Sequence, residues 1–195
     1  MKLESVKNAL VKRGYEAKIC TAEEAAQYVR DAAAATGAGG SVGWGGSETV
    51  KELALPTIIN AMGREIRDHR TDCDLFLLSA NALTTDGLIV NIDGTGNRIA
   101  ASIFGPKRVI YLVGSNKIVE GDVTAAIGRI RREACPPNCR RLGKKTPCAT
   151  SVCPWFENGY GCDSPDRICK ATVVFEQPPR HTPTTVLLID QSLGY

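Results

Sequence analysis

Seven short polar or charged side chains lie within eighteen positions of one another in this chain. They are Asn81, Asp86, Asn91, Asp93, Thr95, Asn97 and Arg98. Two apolar runs typical of buried strands, Leu75–Leu78 and Leu88–Ile92, adjoin them, and turns fall at Thr85–Gly87 and Asp93–Gly94. Short polar side chains at strand ends and at a helix N-terminus are where α/β proteins place small-molecule sites. At each single position the alternative is an ordinary turn or helix-cap residue.

Two carboxylates of this stretch, Asp86 and Asp93, are the candidate acid–base groups if the chain is an enzyme. Arg98, at the start of a predicted helix, and Lys117, at the carboxyl end of a predicted strand, are the candidates for neutralising the charge of a substrate. Neither carboxylate has a partner that the sequence makes visible.

A glycine-rich turn, Gly45–Ser47, follows a short predicted strand and precedes a predicted helix capped by Ser47. Glycines let backbone amides approach an anion, and a helix N-terminus carries partial positive charge. A phosphate, carboxylate or pyrophosphate is therefore expected over this turn. The spacing matches neither the dinucleotide fingerprint nor the phosphate-binding loop of nucleotide hydrolases, so a plain tight turn is the alternative.

Six of the eight cysteines lie between Cys135 and Cys169. Clustering of this kind in a reducing compartment indicates a metal site more than a disulfide framework. The predicted ligands are Cys148, Cys153, Cys162 and Cys169, a set that suits either structural zinc or a [4Fe–4S] cluster. The pair Cys135 and Cys139 could serve as ligands instead or be free thiols, and all six could be unliganded.

The elements that position these residues alternate between strands and helices, which predicts an α/β domain with a mostly parallel central sheet. A capping box of Thr21 and Glu24 begins one helix, and another is expected to run through Ile58 and Ile66. After Arg132 the periodicity fails, and residues 133–170 form an irregular Cys-rich insertion in one domain spanning 1–195. Two final strands then return the chain to the sheet.

Composition excludes several classes of protein. The 195 residues fit one core, 43% of them are hydrophobic, and no apolar run approaches the length of a membrane span. A net charge of +3 makes nucleic acid an unlikely partner, and the basic segment 129–145 contains no aromatic residues for base stacking. The first eighteen residues lack the features of a secretory signal, so we expect a cytoplasmic protein. His69 and His181 are isolated, and we expect no catalytic role for them.

The motifs together resemble those of the LUD (lactate utilization) domain family, over most of the chain. The segments that carry the resemblance are Gly45–Leu53, Ser79–Ala101, Phe104–Lys107, Gly114–Val119, Thr146–Cys148, Cys162, Ser164–Pro165 and Arg167–Cys169. The chain departs from the pattern by inserting Pro154–Tyr160 between two cysteines of the tail, which makes Cys153 the least certain ligand.

The resemblance implies a three-layer α/β sandwich of the NagB/RpiA/CoA-transferase-like type and a role in L-lactate (2-hydroxy acid) oxidation, as an accessory or catalytic subunit. It also implies a pocket for a small anionic ligand: a carboxylate, a phosphate or a CoA ester. The pocket would be formed by Gly45, Gly46, Ser47, Asn81, Asp86, Asn91, Asp93, Gly94, Thr95, Asn97, Arg98 and Lys117. Expected partners are iron–sulfur subunits, and a homodimer is allowed. The alternatives are a metal-binding electron-transfer or assembly protein and a sugar-phosphate or CoA-ester enzyme.

Overall fold

The computed structural model describes residues 2–67 and 71–195, and within these ranges six strands form an all-parallel central sheet in the order β1-β10-β7-β4-β2-β3. The strands of the central sheet are β1 (Glu16–Cys20), β2 (Ser41–Trp44), β3 (Glu65–Ile66), β4 (Leu75–Leu78), β7 (Arg108–Gly114) and β10 (Thr184–Ile189). The smaller sheet, in the order β8-β5-β6-β9, contains β5 (Ala82–Thr84), β6 (Ile89–Asp93), β8 (Ile118–Val119) and β9 (Ala171–Phe175). The predicted α/β fold with a parallel sheet is confirmed.

The helices flank the sheets on both sides. They are α1 (Lys2–Lys12), α2 (Ala22–Ala34), α3 (Glu48–Glu52), α4 (Leu55–Ala61), α5 (Asn97–Ile103), α6 (Val123–Arg129), α7 (Cys135–Arg141), α8 (Pro147–Thr150) and α9 (Trp155–Asn158). The capping box predicted for α2 forms in full, with Thr21 accepting from Glu24 N and Glu24 accepting from Thr21 N. It satisfies two backbone donors that the first turn leaves without partners.

The central sheet is buried on both faces because its strands are apolar at successive positions. In β4, Leu75 and Leu77 point into a core formed with α2, α3 and α4, whereas Phe76 and Leu78 point into a core formed with α1 and the smaller sheet. Alternate residues of a strand face opposite sides, so a continuous apolar run is what a doubly covered strand requires. This arrangement gives the three layers.

The smaller sheet extends the second covering layer. Leu83 and Ile89 face the central sheet, whereas Val90 and Ile92 pack outward against α6 and the helical turns that follow it. The strands β5 and β6 are antiparallel and are joined by the hairpin turn at Thr85–Gly87. Because β6 is paired with β5 on one side and β9 on the other, its polar carboxyl end is not at a free edge of the sheet.

One predicted helix is too long. The helix α4 ends at Ala61, and Glu65–Ile66 form the edge strand β3, which pairs with β2. Gly63 adopts φ +65° just after the helix, a conformation that continues no helix. Pro56 lies in the first turn of α4, where its missing N–H needs no partner. Residues 65–66 form a strand because they pair with β2, which is distant in the chain. The local spacing of apolar residues gives no information about such pairing.

The irregular segment 133–170 is built of short helical turns. A π-helical turn, Ile130–Ala134, continues α6, and α7, α8 and α9 follow it. Buried cysteines and the apolar face of this segment pack on the outer face of the smaller sheet. In residues 2–67 and 71–195, no helix is both long and apolar enough to cross a bilayer.

Candidate functional site

A cavity of about 360 Å³ opens at the carboxyl end of β2, beside the turn that follows β6. The turn after β2, the turn after β6, the helix α7 and the end of the Cys-rich segment form its walls. The predicted residues that line it are Gly45, Gly46, Asn81, Asp93, Gly94, Thr95, Asn97 and Arg98. The carboxyl ends of parallel strands are where α/β sheets place ligands.

Two glycines let the walls of this cavity come close together. A Cβ added at Gly45 would lie 2.5 Å from Asn97 Nδ2 and 2.7 Å from Arg98 Cγ. A Cβ added at Gly94 would lie 2.8 Å from the carbonyl oxygen of Ile168. The first close approach joins the turn after β2 to α5, and the second joins the turn after β6 to the Cys-rich segment. These glycines allow close packing of the chain segments. The space beside Gly45 is occupied by side chains of α5.

Asp93 is an anchor for its own loop. Its Oδ1 accepts from the backbone amides of Gly94 (2.7 Å) and Thr95 (3.3 Å), and its Oδ2 accepts from those of Arg98 (3.1 Å) and Ile99 (3.4 Å). Burial alone would raise the pKa of Asp93, but the Arg98 guanidinium and the backbone amides lower it below its ordinary value. An ionised carboxylate with all these partners is better suited to shaping the loop than to transferring protons.

Arg98 lines the cavity beside Asp93. Its Nη2 donates to the carbonyl oxygen of Ile92 (2.9 Å), and its Nε lies 3.5 Å from Asp93 Oδ2. Lys51 and Arg141 add two further positive charges to the lining of the cavity. Among the described residues, Asp93 is the one carboxylate that lines this cavity. Glu48, just outside the lining, pairs with both Lys51 (2.9 Å) and Arg141 (3.5 Å), so three positive charges face two negative ones and the wall keeps a surplus of positive charge.

A smaller cavity of about 50 Å³ continues inward from the first. It is lined by Lys117, Ser79 and Thr49, and it shares Asn81 and Arg98 with the larger cavity. Lys117 is 4% exposed, and its Nζ donates to Thr49 Oγ1 (2.7 Å) and Ser79 Oγ (2.8 Å).

The surroundings of Lys117 disfavour its charged form. Burial and the nearby Arg129 lower the pKa of its amine to about 7, Glu52 acts in the opposite direction, and Arg98 lowers it further. Lys117 is therefore a buried amine that loses its proton near neutral pH.

The two predicted asparagines lock the strands β5 and β6 together at the base of the site. Asn81 Oδ1 accepts from the amide of Ile92 (2.9 Å), and Asn91 Oδ1 accepts from the amide of Asn81 (2.8 Å). Asn91 is 2% exposed, and its amide group donates to Tyr111 Oη (3.5 Å). Asn91 therefore supports the site from inside the core, whereas Asn81 also lines the cavity.

Two other predicted positions, Ser47 and Thr95, lie in different parts of the site. Ser47 lines the small cavity and accepts from Val50 N (3.4 Å) as the N-cap of the five-residue helix α3. Thr95 is exposed at the mouth of the larger cavity.

Asp86 lies away from the cavity, in the exposed hairpin turn between β5 and β6, where its carbonyl oxygen accepts from Arg13 Nε (2.5 Å). The hairpin reverses the chain, so its turn and the end of β6 are at opposite ends of the strand. Of the two histidines, His69 lies outside the described residues and His181 is exposed.

Four buried thiols approach one another in two pairs beside the larger cavity. Cys135 Sγ lies 3.2 Å from Cys169 Sγ, and Cys148 Sγ lies 3.8 Å from Cys139 Sγ. The hydrogen bond between the first two thiols raises the pKa of Cys135 and lowers that of Cys169. The charge of Cys148 also acts on Cys135, so the two pairs are neighbours. Cys135 and Cys169 line the larger cavity.

This thiol cluster differs from the predicted ligand set. Cys148 and Cys169 belong to it, and Cys153 packs against Cys139 and Cys148. Cys162 is half-buried and makes no thiol contact within the described ranges. No group of three or more His, Cys, Asp or Glu side chains in the described part of the chain has metal-binding geometry as it stands.

The basic segment 129–145 does not form one solvated face. Arg129 is buried and donates to the carbonyl oxygens of Asn81 (2.8 Å) and Tyr195 (3.0 Å). Arg131 lies over the Trp155 ring at 5.7 Å. Arg141, by contrast, lines the cavity and is the member of the segment best placed to meet a ligand.

The sequence did not single out Thr49, Ser79, Asn138 or Arg141 as site residues. Ser79 directly follows the central strand β4, whereas Thr49 lies in the first turn of α3, the helix after β2. A search for hydroxyls just after buried strands would have found Ser79. Asn138 and Arg141 are on α7, whose contact with the site depends on tertiary packing alone.

The fold and the site place this chain in the class of three-layer α/β domains that have a cavity at the ends of their strands. The chain belongs to the LUD domain family: the sequence profile of that family matches residues 3–189. The resemblance inferred from the motifs is thereby confirmed, and the chain is related to lactate utilization. The fold is similar to the crystal structure of a DUF162 family protein from Deinococcus radiodurans, with a TM-score of 0.55 and 15% identity over 96% of each chain. No curated protein gives a significant match.

Proposed function

We propose that this chain is a subunit of a system that oxidises lactate or a related 2-hydroxy acid, and that it binds a small carboxylate in the cavity between Gly45 and Arg98. The observation that carries the proposal is the surplus of positive charge around a cavity of about 360 Å³, where Lys51, Arg98 and Arg141 outnumber their carboxylate partners Asp93 and Glu48. An anion bound there would be held by charge-assisted hydrogen bonds. Relation to the LUD family supports a 2-hydroxy or 2-oxo acid as the anion.

A sugar phosphate or a CoA ester is the competing ligand class, because the cavity is larger than lactate requires. Pocket volumes for drug-sized ligands begin at about 300 Å³. The competing classes can be separated by a calorimetric titration with L-lactate, pyruvate, ribose 5-phosphate and CoA. We expect lactate or pyruvate to bind and the other two to bind more weakly.

The variants for this titration test the cavity directly. Arg141→Met removes a rim charge without touching the Asp93 loop, and we expect it to weaken carboxylate binding about tenfold, the value of one charge-assisted hydrogen bond. Arg30→Met is the matched control, because Arg30 is exposed on α2 and contacts Gln27. Equal affinities of both variants and the wild type would rule out this cavity as the anion site.

We also propose that the thiol cluster binds a metal, as an alternative function in electron transfer or assembly. Its support is the convergence of two thiol pairs, Cys135 with Cys169 and Cys139 with Cys148. Four thiolates are the donor set of structural zinc and of [4Fe–4S] clusters. Binding requires the two pairs to move together from their present spacing. A cluster would supply one-electron transfer, whereas zinc would supply stability.

The metal proposal is tested on protein produced and purified without oxygen. We expect near-stoichiometric iron or zinc in the wild type and its loss in Cys148→Ser. Cys20→Ser is the control, because Cys20 lies in β1, away from the cluster. Broad visible absorption together with iron identifies a cluster, and colourless protein with zinc identifies a structural site. Protein that contains neither metal contradicts the proposal.

A further inference from the structure

The inner end of the cavity holds a lysine without a counter-ion. The Nζ of Lys117 has two hydroxyl partners, Thr49 Oγ1 and Ser79 Oγ, and no carboxylate of the described residues lies within ion-pair distance of it. Glu48 lines the same small cavity and Glu52 acts on the amine from farther away, raising its pKa, but neither forms an ion pair with it. A charged ammonium group that is buried without a carboxylate is costly, so such a lysine is held as the neutral amine. The lowered pKa of Lys117, about 7, agrees with this environment.

The amine is placed to meet a ligand of the larger cavity. Lys117 lines the 50 Å³ inner cavity, which shares Gly46, Asn81 and Arg98 with the larger one. Arg98 therefore faces both spaces, and its positive charge lowers the pKa of Lys117. A small carboxylate held by Arg98 would present its second carbon towards the inner end, where the amine lies.

We propose that Lys117 is a nucleophile that forms an imine with the carbonyl carbon of a 2-oxo acid bound in the cavity. This proposal rests on the proposed function. The lysine nitrogen forms a bond to the carbonyl carbon, and the carbonyl oxygen leaves as water with the two protons of the amine. No oxidant or reductant takes part. The imine withdraws electrons from the neighbouring carbon bonds of the ligand, which is the usual purpose of lysine imines.

Ser79 is the hydroxyl that can carry protons in this step. Thr49 Oγ1 donates to the carbonyl oxygen of Leu193 (3.2 Å), so its proton is committed. The hydroxyl of Ser79 donates to the carbonyl oxygen of the next residue, Ala80 (3.3 Å), a local contact that rotation of the side chain breaks. It can instead donate to the neutral amine or to the departing oxygen. Ser79 is thus assigned as the proton carrier between amine and water.

A second lysine of the cavity provides the internal comparison. Lys51 lines the larger cavity, but it is half-exposed and its Nζ lies 2.9 Å from Glu48 Oε1. A lysine that is open to water and paired with a carboxylate lacks the desolvated surroundings that activate an amine as a nucleophile. The two lysines therefore differ in chemistry while they share one ligand space.

The experiment uses pyruvate and sodium borohydride, which reduces an imine to a stable secondary amine. We expect a single adduct at Lys117 in the wild type, located by mass spectrometry of peptides. The adduct is expected to persist in Lys18→Arg, whose lysine is exposed on β1 away from the cavity, and to vanish in Lys117→Arg. Its yield should rise through about pH 7, in line with the pKa of Lys117, rather than near the ordinary value for lysine.

Ser79→Ala keeps the lysine and tests the proposal if Lys117→Arg fails to fold. We expect it to bind pyruvate with unchanged affinity and to form the adduct about a hundredfold more slowly, a typical loss for a proton-transfer group.

Calorimetry with pyruvate on the same wild-type sample separates the possible failures. Binding without an adduct overturns the imine and leaves the proposed function standing, whereas absence of binding overturns both. An adduct at Lys51 or scattered over surface lysines overturns the assignment to Lys117. An adduct with ribose 5-phosphate but not with pyruvate overturns the 2-oxo acid as the substrate class.

Discussion

At the scale of single residues, the polar side chains of Ser79–Arg98 divide into those that shape the site and those that face it. Asp93 gathers the amides at the start of α5, and Asn91 joins β6 to Tyr111 inside the core. Asn81 and Arg98 face the cavity as well as their own structural partners. Sequence reasoning grouped all of them as ligand residues, because a loop anchor and a ligand contact use the same residue types.

Replacing Asp93 with asparagine is expected to destabilise the fold by about 2–3 kcal/mol near neutral pH. The substitution removes a buried charge that accepts several backbone hydrogen bonds, and the new amide group faces N–H donors. Urea denaturation measures the free energy of unfolding of both proteins. Asp86→Asn, in the exposed hairpin turn, is the control and should leave that free energy unchanged.

The same pair of proteins should converge in acid. The pKa of Asp93 is lowered in the folded state, so its contribution is present above the pKa of the unfolded chain and is lost as the pH falls through the folded value. The stability difference between wild type and Asp93→Asn should therefore shrink below about pH 4, the ordinary range of aspartate. A difference that stays constant down to low pH would contradict this role.

At the scale of elements, the site depends on two strand ends that meet. The turn after β2 contacts the start of α5 at Gly45, and the end of the Cys-rich segment crosses the turn after β6 at Gly94. The pairing of Lys170 N with the carbonyl oxygen of Asp93 (3.0 Å) fixes that crossing. Each contact joins segments far apart in the chain, so the shape of the cavity is set by how the elements pack.

Gly45→Ala is expected to weaken carboxylate binding about tenfold and to lower the melting temperature. The added Cβ would displace Arg98, whose Cγ lies within 2.7 Å of the position that the new atom would occupy. Calorimetry and a thermal melt measure the two effects.

Gly128→Ala is the matched control for this change. A Cβ at Gly128 meets ordinary contacts of 3.8 Å or more inside α6, where alanine is the better helix former. We expect it to leave binding unchanged, and equal behaviour of the two variants would show that the close approach at Gly45 is not needed.

At the scale of the whole molecule, we expect the free energy of unfolding to depend on pH because of the buried Lys117. The pKa of Lys117 is about 7 in the folded state and near its ordinary value in the unfolded chain. Between these values the unfolded chain binds more protons, so stability rises with pH. The full shift corresponds to a cost on the order of 5 kcal/mol at acid pH, a cost that disappears as the amine loses its proton.

Wild-type protein should therefore gain about 2 kcal/mol more than Lys117→Met on going from about pH 7 to about pH 9. Arg129, Arg98 and Glu52, the charged groups that act on this amine, are present in both proteins, so the difference belongs to Lys117. Urea denaturation of both proteins at the two pH values measures it. If the free energies of unfolding of the two proteins change equally with pH, the amine of Lys117 does not take up a proton on unfolding, and the prediction is wrong.

The sequence alone was enough for most of the longer strands, most helices and the α/β class with a mostly parallel sheet, whereas the short strands β3 and β8 were not predicted. Continuous apolar runs such as Leu75–Leu78 determine doubly covered strands, and the Thr21–Glu24 box determines a helix start, because these signals act over a few neighbouring residues. The grouping of glycines and short polar side chains also identified the elements from which the cavity is built.

Tertiary structure decided which of those side chains face the cavity. The hairpin places Asp86 at the far end of β5 and β6, α7 brings Arg141 to the rim, and the fold of the Cys-rich segment pairs Cys135 with Cys169. The burial that makes Lys117 a weakly basic amine comes from Thr49, Ser79 and Arg129, which are distant from it in the chain or on other elements. Contacts between distant segments and the exclusion of water exist only once the layers have packed, so no local pattern can encode them.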